Sequence, residues 1–270
     1  LELSHRLRPY SPLVLKTIDW EVLNENHTVT AIGWIEISNP HPRMEVMVPE
    51  LKVITSLLGQ ADFSDIKTTQ RVTTNHPDEK ARNDGYWFAY IIKGHMQTRV
   101  RVELSLENIN LSDLSKAPEC LWVEIYWINY GPFGRLELRE GFPLALQRPK
   151  PLQPSEGCFK RSNHCDVLPI KTHLLGPLDN PMEVLKTYAS NLILPGDILT
   201  IGETPLAVIQ GRYHHPSSIR PAPLSRLLCR SFQPTSSLAT ACGLQSLINL
   251  VGPSRVLIAW IIGVAMKLLG

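Results

Sequence analysis

The sequence predicts an α+β protein, with an antiparallel β-sandwich over residues 1–148 and a domain of alternating strands and helices over 167–270. Three observations carry this. Two N-terminal segments alternate apolar and polar residues with period two, as half-buried strands do. Turn signals recur between short apolar runs, with no long amphipathic helix among them. A proline-rich stretch, residues 149–166, then interrupts the pattern, and a clear helix start follows it.

The strongest strand is Thr98–Glu107, where Val100, Val102, Leu104 and Leu106 share one face and Arg99, Arg101, Glu103 and Glu107 the other. A slip of one residue would bury the charges, so the register is fixed. Val29–Ser38 follows the same rule, with Val29, Ala31, Ile35 and Ile37 on one side. It stops at Asn39-Pro40, because proline cannot donate to a ladder. Further strands are expected at Tyr10–Trp20, Glu45–Thr55, Tyr86–Ile92, Leu121–Asn129 and Leu136–Leu146. Asn83-Asp84-Gly85, Asn129-Tyr130-Gly131-Pro132 and Glu140-Gly141-Phe142-Pro143 supply the turns. Connections this short permit only antiparallel pairing.

The stretch Ala31–Pro40, a strand ending in Asn-Pro, followed by a proline-rich turn and a second strand from Met44 to Val53, resembles the late-embryogenesis-abundant, water-stress (WHy) domain. That resemblance implies a seven-stranded, immunoglobulin-like sandwich without catalytic residues. The acidic residues Asp62, Asp65, Asp78 and Glu79, with His76 nearby, fit a solvated loop better than a metal site, since no two share a strand or helix face.

Composition narrows the function classes. Hydrophobic residues at 43% and charged residues at 19% describe a globular chain, and a formal net charge of +2 offers no basic stripe for nucleic acid. Five cysteines, Cys120, Cys158, Cys165, Cys229 and Cys242, are an odd number at irregular spacing. Free thiols in a reducing cytoplasm are expected rather than a disulfide framework. Asn26-His27-Thr28 and Asn110-Leu111-Ser112 match the glycosylation sequon, a pattern too short to weigh much. The chain opens without an initiator Met or a signal region and stops inside an apolar stretch, so a fragment lacking residues at both ends is expected.

Arg148 to Gly157 alternates prolines and reads as an extended spacer. Cys158, His164, Cys165 and His173 beyond it are legitimate zinc ligands by type. The Cys-x6-Cys spacing lacks the tight hairpin that presents two sulfurs to one ion, so an irregular linker is the expectation.

Val167–Leu175 reads as a strand and loop. Asp179-Asn180-Pro181 then starts a helix: either polar residue can cap, Pro181 suits the first position, and Glu183 favours the positive end of the dipole. Ile198–Ile201 and Leu206–Ile209 are expected to be the next strands, separated from the helix by Pro195-Gly196-Asp197 and closing at Gln210-Gly211-Arg212. This β–α–β–β order, with Pro169-Ile170-Lys171-Thr172, Asp179, Pro-Gly-Asp at 195–197, Glu203 and Gly211-Arg212 in sequence, resembles the opening of the coenzyme F-420-0:γ-glutamyl ligase family. The resemblance covers about Leu168 to Arg212. It implies GTP- and Mg- or Mn-dependent addition of glutamate to a phosphorylated deazaflavin cofactor, with Lys171, Thr172, Glu203, Gly211 and Arg212 near nucleotide and substrate.

The departures are specific. Ala207-Val208 and Gln210 stand where the family has Ser-Lys and then Glu before Gly, so a lysine able to neutralise phosphate charge is missing. Phe232 to Gly270 holds no Asp or Glu, whereas a hard cation needs oxygen ligands. Either the ligands lie beyond Gly270 or this branch has lost the activity. The competing expectation is therefore a non-catalytic binding or scaffold protein that reuses the fold.

Tyr213-His214-His215-Pro216 is read as an exposed loop, because adjacent side chains on extended backbone diverge. Leu238–Leu247 is expected to be a capped helix, and Val256–Met266 a buried one, its eleven apolar residues falling short of the ~20 a spanning helix needs. The partner expected is a small phosphorylated molecule and, at most, further copies of the chain. Neither nucleic acid nor membrane is expected, and the location expected is cytoplasmic.

Overall fold

The structure, a computed structural model, describes residues 11–25, 27–80, 85–109, 117–157, 159–161, 165–212, 214, 216 and 219–269. The chain divides into two compact units, Leu1–Tyr213 and His214–Gly270.

Eight strands form the body of the first unit: β1 (Val14–Glu25), β2 (Thr28–Ser38), β3 (Val46–Leu58), β4 (Lys67–Asn75), β5 (Tyr90–Ile92), β6 (Gln97–Glu107), β7 (Cys120–Gly131) and β8 (Gly134–Ala145). They make two four-stranded sheets in the orders β1-β2-β6-β4 and β5-β3-β7-β8, with every pairing antiparallel. The chain changes sheet between β2 and β3, β3 and β4, β4 and β5, β5 and β6, and β6 and β7. Alternate residues of strands in both sheets point into the space between the layers, which is how a sandwich forms one core.

The alternation read from the sequence sets the register. Val29 faces Leu106, Ala31 faces Leu104 and Ile35 faces Val100 across the β2–β6 ladder, all of them buried. From the other sheet, Val48, Leu51, Val53, Leu121, Val123 and Ile125 close on them. On the outer face Arg99 pairs with Glu36 at 2.9 Å and Arg101 with Glu103 at 2.9 Å. Gly33 breaks the apolar series of β2, and the Trp20 ring fills its place: a Cβ on Gly33 would lie 2.1 Å from Trp20 Cδ2. Trp20 also meets Phe142 edge-on at 5.1 Å, tying the edge strand β1 to the opposite sheet.

Several expectations are corrected. β4 was not anticipated, since Lys67–Asn75 carries a single large apolar residue, Val72. β1 continues past Trp20 to Glu25, through an irregularity between Ile18 and Glu21 where Asp19 takes a left-handed φ of 50°. That insertion switches the face on which alternate residues fall. Glu140-Gly141-Phe142-Pro143 is no turn but the middle of β8, and Pro143 is tolerated because β8 lies at a sheet edge.

Beyond the sandwich, β9 (Lys160–Arg161) and β10 (Asp166–Val167) form a two-residue ladder. Helix α1 (Pro181–Ala189) starts as expected, Asn180 Oδ1 accepting from Met182 N–H at 2.9 Å. The two strands expected after it are not strands. Residues 198–201 are irregular, and Leu206–Ile209 belongs to helix α2 (Glu203–Ile209). Glu203 and Pro205 both suit a first helical turn, whereas Pro205 would interrupt a ladder.

The second unit is helical, with α3 (Pro223–Leu228), α4 (Ala241–Val251) and α5 (Pro253–Leu269). Thr240 Oγ1 caps α4 by accepting from Gly243 N–H at 3.0 Å. Leu228, Cys229, Leu244, Ile248 and Val256 form its core. The expectation that Val256–Met266 is buried does not hold: Val256 is inside, while Ile258, Ile261, Ile262 and Met266 are exposed. A helix apolar on all sides needs cover on all sides, and α5 packs along one face only. Among the described residues no single helix is long and apolar enough to cross a membrane; α4 and α5 together are bent by 115°.

Candidate functional site

The segment after Arg148 contains a polar pocket of the first unit. His173 is 4% exposed and uses both ring nitrogens: Nε2 lies 2.9 Å from Asp179 Oδ1, and Nδ1 lies 2.9 Å from Tyr188 Oη. A carboxylate can only accept, so Nε2–H donates to Asp179, and Nδ1 shares the second hydrogen bond with the Tyr188 hydroxyl. Asp179 Oδ2 accepts from Gly176 N–H at 2.7 Å. The result is a Tyr–His–Asp chain that fastens the loop 173–180 to α1, with Tyr188 reaching back from the third helical turn. Burial alone would raise the Asp179 carboxyl. The hydrogen bonds from His173 and Gly176, with the charges of His173 and Arg148, outweigh it and hold the carboxyl below its ordinary range.

The cavity beside this chain measures about 170 Å³ and is bordered by Arg148, Asn180, Glu183 and Thr187 as well as the three network residues. It admits a few waters or a small polar group. Neither nitrogen of His173 is left to act as a base while the network stands, so the arrangement is a positioning element. Tyr188→Phe should cost about 1–2 kcal/mol, by leaving a buried imidazole nitrogen unpaired. Urea denaturation of the two proteins would measure it, and equal midpoints would show that the hydroxyl carries no load.

Sequence reasoning placed these residues elsewhere. His173 was grouped with Cys158, His164 and Cys165 as weak zinc candidates. The structure commits both of its nitrogens to Asp179 and Tyr188, and Cys165 is exposed; Cys158 and His164 lie outside the described residues. Asp179 was expected to share the capping role; Asn180 takes it and Asp179 turns to His173. A spacing of six and nine residues across a loop and a helix leaves no local signal for such a network.

Of the residues that the ligase resemblance singled out, Lys171, Glu203, Gly211 and Arg212 are exposed and Thr172 is half-buried. Thr172 Oγ1 donates to His173 O at 2.9 Å. Glu203 opens α2, while Gly211 and Arg212 close the turn behind it, their N–H groups donating to Val208 O and Ala207 O. Gly211 has a φ of +66°, which a glycine adopts without strain. Among the described residues no hydrogen bond or ion pair joins Lys171 or Thr172 to Glu203 or Arg212.

The loop acids of the sandwich behave as expected in part. Asp62 folds onto its own loop, accepting from Ser64 N–H at 3.0 Å. His76 does not sit in solvent. It is 5% exposed, stacks on Tyr90 at 3.9 Å and holds Thr98 Oγ1 at 2.7 Å from Nδ1, while Tyr90 donates to Asp78 at 2.6 Å. Burial lowers the His76 pKa to about 4, against the opposing pull of Asp78, so the ring is neutral at physiological pH. Among the described residues no three His, Cys, Asp or Glu side chains converge on a metal position. Cys120, Cys165, Cys229 and Cys242 are free thiols, and burial pushes Cys120 up to about 12. Asn26 and Asn110 of the two sequons, Tyr10, Asn83, Asp84, Tyr213 and His215 lie outside the described residues.

No curated protein matches the chain. Among solved structures it is similar to the yeast GGA1 GAE domain with P21 (13% identity, TM-score 0.28, 50% of this chain and 92% of that one). It is also similar to the GAE domain of GGA2p from Saccharomyces cerevisiae (12%, TM-score 0.26, 48% and 97%). A FixG-related protein from Vibrio parahaemolyticus follows (10%, TM-score 0.24, 49% and 95%). Residues 14–148, which span the whole sandwich and end at the arginine beside the polar pocket, match the N-terminal Ig-like domain of F420-0:gamma-glutamyl ligase. The chain belongs, through this Ig-like domain, to the F420-0:gamma-glutamyl ligase family.

Proposed function

We propose that the chain serves glutamate ligation to a phosphorylated deazaflavin cofactor, with the sandwich as a non-catalytic module preceding the ligase segment. The match of residues 14–148 to the Ig-like domain of that ligase carries this reading. The exposure of Lys171, Glu203 and Arg212 supports it, because residues meant for nucleotide and substrate must be reachable. GTP and glutamate are the substrates of this reading.

The metal is a different matter. The described residues assemble no oxygen cage for Mg or Mn, and Thr204 to Gly270 contains no carboxylate side chain. No step through a metal is therefore assigned to these residues. Among the described residues no hydrogen bond or ion pair joins Lys171, Glu203 and Arg212, which favours a second reading, a binding or scaffold role on the same family frame.

Thermal denaturation of the chain with GTP, with and without Mn²⁺, separates the two. A ligand at a hundredfold its Kd stabilises by about 2.7 kcal/mol, a shift of several degrees for a domain of ordinary size. The ligase reading expects that shift, and expects Arg212→Ala to reduce it. Unchanged melting with GTP and Mn²⁺ together would leave the scaffold role.

A further inference from the structure

We propose that the helical unit His214–Gly270 docks in the plane of an anionic lipid bilayer, through the exposed stripe of α5. The stripe is Ile258, Ile261, Ile262 and Met266, at the spacing that sets residues on one side of a helix. These side chains are between 51% and 64% exposed. Among the described residues they are not part of the unit's own core, whose contacts on this helix are made by Val256 and Trp260, beside a groove shared with α4.

Charge selects the partner. The unit contains five cations, Arg220, Arg226, Arg230, Arg255 and Lys267, and no acidic residue at all. The whole chain carries only +2, so the positive charge is concentrated here. Arg255 and Lys267 stand at the two ends of the apolar run, on the groove side. In a helix lying flat with Ile258, Ile261 and Ile262 down, Lys267 stands on the water side and Arg255, three residues before Ile258, flanks the stripe at the interface; both long basic side chains reach headgroup phosphates from there.

The length of the apolar run favours lying flat. The eleven apolar residues Val256–Met266 extend about 16 Å at 1.5 Å per residue, against a hydrocarbon thickness of about 30 Å. Among the described residues no single helix is long and apolar enough to cross; α4 and α5 reach that length and composition only together, bent by 115°. A bilayer surface supplies apolar depth and diffuse negative charge together. Five scattered cations need no fixed partner geometry to exploit it, which a folded acidic protein would have to provide.

Sedimentation of the full chain with vesicles tests the proposal, using phosphatidylcholine alone and phosphatidylcholine with about one-third phosphatidylglycerol. The expected result is at least roughly tenfold stronger partitioning onto the anionic vesicles, weakened at about 0.5 M NaCl by screening. Ile261→Glu, at an exposed position that leaves the core intact, should abolish it, and Arg255→Glu with Lys267→Glu should remove the preference for phosphatidylglycerol. Circular dichroism establishes that the variants remain folded. A folded chain that stays in the supernatant with anionic vesicles overturns the proposal, as does undiminished binding by Ile261→Glu. A concentration-dependent dimer lost in Ile261→Glu, with no vesicle binding, would assign the stripe to a second copy of the chain instead.

Discussion

Replacing Asn39 with aspartate should cost the sandwich about 4 kcal/mol at pH 7, a large share of the 5–15 kcal/mol that holds a domain together. Asn39 is 1% exposed and joins both sheets at the point where β2 leaves for β3. Its Nδ2 donates to Met44 O at 2.7 Å, just before β3, and to Ile92 O at 3.0 Å, at the end of β5. Its Oδ1 accepts from His41 N–H at 3.1 Å. Its backbone binds the turn before β6, N–H to Met96 O and carbonyl from His95 N–H, both at 2.9 Å. Aspartate keeps the shape and the His41 contact. It turns two donated hydrogen bonds into an oxygen facing two carbonyls, and it buries a charge without a counter-ion.

The sign of the pH dependence follows. The carboxyl introduced there has its pKa raised by burial and by the facing carbonyls. The folded state then binds the proton more tightly than the unfolded chain, so the deficit is smallest in acid and grows as pH rises. Asn39→Ala, which removes all three side-chain bonds without adding charge, should lose less and show no such dependence. Five of the six tryptophans lie in the sandwich, so fluorescence during urea denaturation reports this domain. An aspartate variant within 1 kcal/mol of the parent at neutral pH would show that Asn39 ends a strand and does nothing more.

Asn39 also marks the limit of what a sequence discloses. Asn-Pro was readable as the end of a strand, because proline lacks a donor. The four segments that the side chain and backbone tie together are joined only in three dimensions. The inner faces of β2 and β6 were legible for the opposite reason: alternation is local, and Val100, Val102, Leu104 and Leu106 are all buried as it requires. β4 was hidden because its inward positions include Thr74, which keeps its place at 3% exposure without any apolar signal. Leu206–Ile209 was misread because a run of four apolar residues fits a strand or a short helix equally well. At the candidate site, Asp179, Asn180 and Pro181 announced a helix start. The His173–Tyr188 contact that makes the start rigid spans fifteen residues and could not be read.

Glu140 carries the second large effect. It was placed in a turn, yet β8 runs straight through it, and it faces inward opposite Ile125 between Leu138 and Phe142. Burial raises its carboxyl to about 7, and among the described residues no cation or donor offsets it. A raised acid pKa means that the folded state holds its proton longer than the unfolded one. Stability from this group is complete below about pH 4.5 and is lost as pH climbs to 7 and beyond. Glu140→Gln should therefore stabilise the sandwich by about 2–3 kcal/mol at pH 8 and be near neutral at pH 4. Urea midpoints at the two pH values would show it, and equal gains at both would locate the penalty in packing rather than charge. The same substitution should have an opposite consequence in solution. β8 is an edge strand of its sheet, and an inward carboxylate on an edge strand hinders a second sheet from pairing there. A more stable Glu140→Gln protein that also associates more readily, by sedimentation at rising concentration, would establish that the buried charge keeps the edge monomeric at a cost in stability. Stabilisation without association would mean that Glu140 strains the fold and protects nothing.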